Sequence, residues 1–210
     1  MTNTAASSDN PFATRFVRPG AQSFLFPEGE TVEALVDHLR AGAWWGEIVG
    51  PHGAGKSTLL TTLVPHLREA GRHVILVTLR DGQRRLPSQQ LAETAQQPDA
   101  LLVVDGYEQL GRVRRWQLKR RCRRRGYGLL VTAHAPVGLP HLYQVTPSLD
   151  VVQRVVQHVV GAHRSDSPPA SSILITAADV EACFALRAGD VRETLFDLYN
   201  LYERRRRQSS

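Results

Sequence analysis

Eight consecutive residues, Gly50 Pro51 His52 Gly53 Ala54 Gly55 Lys56 Ser57, constrain this 210-residue chain more than any other feature. They fit G-x-x-x-x-G-K-[ST] in full. They also lie between a short apolar run, Trp44 to Val49, and a helix-forming run, Thr58 to Ala70, which is the context the pattern requires. Glycines here let backbone N–H groups curl around a phosphate with no Cβ in the way. Lys56 can then reach the β- and γ-phosphates, Ser57 can ligate Mg2+, and the start of the following helix adds partial positive charge. Gly50 to Thr58 is therefore the candidate nucleotide-binding segment.

The rest of the chain must supply a fold around that turn. His73 to Leu79, Ala100 to Val104 and Gly128 to Thr132 are continuous apolar runs of strand length, the pattern of a parallel sheet buried on both faces. They alternate with helical segments, so the fold class is α/β. Thr31 to Arg40 reads as an amphipathic helix, and Thr58 to Ala70 as a helix kinked at Pro65 and ended by Gly71. Leu142 to Val145 reads as a strand, and Leu149 to Val160 keeps a helical period. Thr176 with Asp179, and Asp190 with Glu193, have capping-box spacing and predict helices over about 177–187 and 191–205. The expected organisation is a polar tail 1–12, an α/β domain 13–161, a Ser-, Pro- and Asp-rich linker 162–172, a small helical lid 173–205 and a tail 206–210. Residues 16–27 show no period and receive no assignment.

A phosphate loop needs an acid on the metal side, and Asp105, closing the run Leu101 Leu102 Val103 Val104, supplies one that would hold Mg2+ through water. The next position, where many such enzymes place a glutamate, is Gly106. Glu108 is then the candidate catalytic base, weighed against a solvated carboxylate at a helix start. At the end of the following strand Thr132 is the first choice to sense a γ-phosphate and His134 the second, the alternative for His134 being a bond to a loop carbonyl.

Strand, phosphate loop, acidic strand and polar strand end, followed by Gly189 Asp190 Val191 Arg192 Glu193, resemble an AAA+ ATPase over about residues 31–203. The resemblance implies a three-layer P-loop NTPase fold with a parallel sheet and a small C-terminal helical lid. It also implies ATP and Mg2+ as cofactors, and Arg192 as the lid arginine that touches the γ-phosphate. Locally, Asp190 and Glu193 could instead neutralise Arg192 without a ligand. Asp105 Gly106 Tyr107 Glu108 is similar to the D-G-x-D pattern of the STAND/NACHT NTPases, with Gln109 where that pattern ends in an acid. No arginine occurs between 126 and 153, where AAA+ rings usually carry a neighbour-acting arginine finger, so the oligomeric state stays open. Leu86 Pro87 Ser88 Gln89 Gln90 faintly resembles the ABC-transporter signature but lacks its Gly-Gly, and ABC is rejected.

Composition narrows the remaining classes. With 42% hydrophobic and 22% charged residues the chain can bury one ordinary core, and its apolar runs are too short to span a membrane. The N-terminus shows no basic region before an apolar stretch, so a soluble cytoplasmic protein is expected. Cys122 and Cys183 are read as small buried or half-buried hydrophobes. The formal net charge is +6, yet nine cations fall within Arg112 to Arg125 and four at Arg204 to Arg207, so the rest of the chain is net acidic. Arg112 to Arg125 is expected on a surface helix with Val113 and Trp116 as inward anchors. It could bind nucleic-acid phosphates, an acidic protein or membrane surface, or nothing. Three functions stay in play: an ATP-hydrolysing AAA+-like protein that moves its lid, a nucleotide-gated binding module with little hydrolysis, and a P-loop small-molecule kinase.

Overall fold

The apolar runs pair side by side as five parallel strands: β1 (Trp45–Val49), β2 (His73–Thr78), β3 (Ala100–Asp105), β4 (Gly128–Ala133) and β5 (His141–Gln144). Their order is β2-β3-β4-β1-β5. The structure, a computed structural model, describes residues 10–17, 23–80, 82–87, 97–164 and 175–209. The central strands β3 and β4 have no solvent-facing side, which is why they read as unbroken apolar sequence. The chain leaves β1 for β2 at one edge, whereas β4 passes over β1 to reach β5 at the other edge. The direction of winding thus reverses beside β1, and such a reversal opens a crevice at the carboxyl ends of the strands.

Two compact units are formed. The first holds residues 28–51 and 59–145, and with them the whole sheet. Helix α2 (Val32–Ala41), capped by the Thr31 side chain on the Ala34 N–H, buries Leu35, Val36 and Leu39. A Cβ on Gly46 of β1 would lie 2.9 Å from Leu39 Cδ1 and 3.6 Å from Leu130 Cδ1, so α2 packs on the face that carries Leu130. The opposite face, with Leu102, Val104, Leu129 and Val131, clusters with Leu118 and Cys122 of helix α4 (Arg112–Arg125). A helix layer on each side of a parallel sheet makes the three-layer α/β fold expected from sequence. The inward anchors of α4 differ from the expectation. Val113 and Trp116 are 68% and 59% exposed, because Leu118 and Cys122, one turn apart, take the sheet-facing stripe instead. Helix α3 (Lys56–Glu69) runs through Pro65 to its end. Glu47, a fully enclosed acid in β1, accepts N–H groups of Val137 (2.9 Å) and Leu139 (3.0 Å), while Lys119 Nζ donates to the carbonyls of Val137 and Gly138. These two charged groups fix the turn that carries the chain from β4 to β5.

The second unit gathers the described residues of 1–27, 52–58 and 146–210. Its core joins Val152, Val156 and Val159 of α5 (Leu149–Arg164), Val180 of α6 (Ala177–Leu186), and Leu195, Leu198 and Tyr202 of α7 (Val191–Ser209). Helix α5 therefore packs with the C-terminal helices, its valine stripe meeting theirs. The end of the expected tail is also packed. Phe12 is buried in this core with its ring edge-on to Tyr202, and Asn10 Nδ2 donates to Tyr199 O and Glu203 Oε1. The short helix α1 (Thr14–Val17) follows. The expected tail 206–210 is helical through Ser209. Residues 165–172 of the expected linker, and the Ser88 to Gln90 part of the ABC-like segment, lie outside the described residues. Among the described residues, no helix is long and apolar enough to cross a membrane.

Helix α6 begins with the full capping box expected at Thr176 and Asp179. The Asp179 carboxylate is also gripped bidentately by Arg205 of α7 at 2.6 and 2.8 Å, which lowers its pKa to about 2. Since the folded pKa lies below the unfolded carboxylate range, this contribution is complete above about pH 5 and is lost as pH falls toward 2. We expect Asp179→Ala to lower the melting temperature at pH 7 by about 2–6 °C, from loss of a cap and an ion pair worth roughly 1–2 kcal/mol. The gap between wild type and variant should close on acidification. A melting-temperature difference that is the same at pH 7 and pH 2.5 would contradict this assignment.

Candidate functional site

Parallel strands deliver their last residues to one edge, and there Asp105 and Thr132 meet. The Thr132 hydroxyl donates to Asp105 Oδ1 at 2.6 Å and accepts the Gly106 N–H at 2.9 Å. Thr132 is wholly buried, so its hydroxyl is committed to holding the carboxylate in place. Thr132 thereby positions Asp105. Gly106 explains the missing glutamate. Its φ of +81° is left-handed, and a Cβ there would lie 2.6 Å from Leu79 O, so no side chain fits directly after Asp105.

The chain then makes a single 3-10 turn, Tyr107–Gln109, whose first side chain is fully buried and hydrogen-bonded to Arg115 O. This turn brings Glu108 to His134, with Oε1 3.2 Å from Nε2. The other carboxylate oxygen, Oε2, is buried with no hydrogen-bond partner among the described residues. Arg115 reinforces the turn, donating to the carbonyls of Glu108 and Leu110 at 2.7 Å each. Four expected residues, Asp105, Glu108, Thr132 and His134, are thus neighbours on one sheet edge, two of them in direct polar contact with the other two.

The phosphate loop continues from β1 through Gly50 and Pro51. His52 is exposed, Ala54 and Lys56 are buried, and Ser57 and Thr58 are half-buried in the first turn of α3. Gly53 has φ +68°, and a Cβ on it would overlap the Asp190 carboxylate. Asp190 caps α7, accepting the Glu193 N–H on Oδ1 at 3.0 Å, and its Oδ2 lies 3.5 Å from His52 Nδ1. One carboxylate therefore closes the helix start and sits directly against the glycine of the loop. Of the two acids expected to neutralise Arg192 locally, Asp190 and Glu193, Asp190 is engaged with the Glu193 N–H and His52. Arg192 is exposed on the first turn of α7 and makes no ion pair among the described residues.

Sequence reasoning misses the contact between Asp190 and Gly53, although Gly53 is a glycine at a position the motif leaves free. It also misses Glu47, because a lone acid in a strand resembles an edge residue. No group of three or more His, Cys, Asp or Glu that could hold a metal occurs among the described residues.

No protein-family model and no curated protein matches this sequence. Among solved structures it is similar to that of C. elegans PCH-2, at 12% identity and a TM-score of 0.46, over 90% of this chain and 72% of that one.

The close approach at Gly53 has a measurable consequence. Gly53→Ala should destabilise by roughly 1–2 kcal/mol for the left-handed backbone, plus the clash with Asp190. Asp190→Ala should cost about 1 kcal/mol as a missing cap while removing that clash. The double variant in urea denaturation should therefore lose less than the two single losses added together. Additivity within about 0.5 kcal/mol would show that the carboxylate does not occupy that space.

Proposed function

We propose that this chain binds ATP with Mg2+ at Gly50 to Thr58 and hydrolyses it, as an AAA+-like P-loop protein whose C-terminal helices respond to the nucleotide. The observation that carries this reading is the complete phosphate loop emerging from β1 at the winding reversal, with α3 beginning at Lys56 itself. Gly53 and the helix start supply backbone N–H groups, and Lys56 supplies the cation for the β- and γ-phosphates. Ser57 and Asp105 would hold the metal, and the polar oxygen donors of this pair suit Mg2+. Bound Mg2+ would neutralise charge developing on the transferred phosphoryl group. Thr132 keeps the Asp105 carboxylate oriented. Glu108 is the group that would orient the attacking water, its buried Oε2 being the unused acceptor, with His134 holding the other oxygen. Arg192 would meet the γ-phosphate, and Asp190, shared between the loop and the cap of α7, would carry the change to that helix.

A slower, nucleotide-gated binding module is favoured by one observation: the backbone at Gly106 leaves no place for an acid directly after Asp105. Turnover assays separate the two readings. Lys56→Ala should lose Mg-ATP binding, measured by calorimetry, while keeping the wild-type melting temperature. Glu108→Gln should keep ATP affinity and lower turnover by about two orders of magnitude, the usual share of general-base catalysis. Equal turnover in Glu108→Gln and wild type removes Glu108 from the site, and Mg-ATP binding unchanged in Lys56→Ala removes the reading as a whole.

A further inference from the structure

Helix α4 carries nine cations and no acid over Arg112–Arg125. Arg115, Lys119 and Arg123 are engaged with the rest of the fold. Arg115 turns back onto the carbonyls of Glu108 and Leu110 and lies over the Tyr107 ring. Lys119 caps the carbonyls of Val137 and Gly138, and Arg123 lies over Trp45 at 5.3 Å. The apolar side of the helix, Leu118 and Cys122, is taken up by the sheet.

On the remaining side stands Trp116, 59% exposed, with Arg120 stacked at 5.4 Å from its ring centre. Arg112, Trp116, Arg120 and Arg124 follow one another at intervals of four residues, so they share one stripe about 18 Å long. Gln117, Arg121 and Arg125 line an open groove beside it with Trp116, Arg120 and Arg124.

We propose that this stripe binds single-stranded nucleic acid, with Trp116 as a stacking platform for a base and the flanking arginines on the phosphates either side. The face offers two things at once, a flat indole and a row of cations, and an unpaired strand presents their complements, exposed base faces and a regular row of phosphates. In a duplex the bases are already stacked on both sides, so the indole gains nothing without unstacking them. A membrane-surface helix needs a broad outward apolar face, and here only Trp116 and Val113 point outward. An acidic peptide would satisfy the cations and leave the indole unused. The proposal stands on α4 alone and is independent of ATP hydrolysis.

The test uses the full chain and a fluorescein-labelled 20-nucleotide oligo-dT, read by anisotropy at several salt concentrations. Binding should weaken steeply with salt. Arg120→Gln with Arg124→Gln should reduce the log–log slope by about 1.4, at about 0.7 for each phosphate of a single strand that is no longer neutralised. Trp116→Ala should weaken binding by about fivefold or more at unchanged slope, and Trp116→Phe should restore most of it. Since Trp116 is exposed, the variants should keep the wild-type melting temperature. Any of the following overturns the proposal: no binding at 50 mM salt, duplex of equal length bound as tightly, equal affinity of Trp116→Ala, or preference for phosphatidylserine vesicles or poly-glutamate over the oligonucleotide.

Discussion

Because all five strands run in the same direction, every polar residue that ends a strand arrives at the same edge of the sheet, and the rest of the chemistry depends on that. Asp105 and Thr132 lie far apart in sequence and become hydrogen-bonded neighbours only because β3 and β4 are paired in parallel. The apolar interiors of these strands give this edge its rigidity. Fully buried residues on both faces leave the register no freedom to slip by one, since a slip would turn Thr132 toward the wrong layer. Buried polar groups refine the edge. Glu47 and Lys119 hold the turn after β4, and Arg115 holds the turn after β3, so both connections that leave the site are pinned by charged side chains bonded to backbone.

The helical unit follows a different logic. Its core is a set of valines, leucines and two aromatic rings drawn from three helices and the segment around Phe12, and its charges form cross-helix clamps. Arg205 on Asp179 and Arg187 on Asp197 both tie α6, or the turn after it, to α7. The start of α7 is thereby well defined, and its cap, Asp190, doubles as the neighbour of Gly53. A carboxylate beside a loop built for phosphates is an electrostatic tension. Under the proposed reading, a nucleotide at the loop would bring further negative charge there, and the cap of α7 would be the first group of this unit to feel it.

Much of this is legible in the sequence. The strands and the main helices are found close to their expected limits, because continuous apolar runs, capping boxes and a phosphate-loop pattern are local signals. Arg112–Arg125 begins and ends as expected, yet its orientation is the reverse of the expected one, since Val113 and Trp116 are apolar and the helix has few apolar residues to choose from. Packing against the sheet decides for Leu118 and Cys122. The bond from Thr132 to Asp105 is hidden from sequence for a similar reason. A hydroxyl at a strand end looks available, and only strand pairing reveals that Asp105 already uses it. The membership of α5 is illegible because a valine stripe says that a face is buried and not against what. The contact of Asp190 with Gly53 joins positions 137 residues apart, and no local pattern encodes it.

In the proposed function, nucleotide at the phosphate loop would be felt at the start of α7 through Asp190. Hydrogen exchange of the amides from Val191 to Leu201 tests it most directly, measured without nucleotide, with Mg-ADP and with a non-hydrolysable Mg-ATP analogue. Exchange in the first two turns of α7 should differ between the analogue and ADP, and Asp190→Ala should abolish the difference while the analogue still binds. Identical exchange in all three states of the wild-type protein, with the analogue bound to saturation, would contradict it.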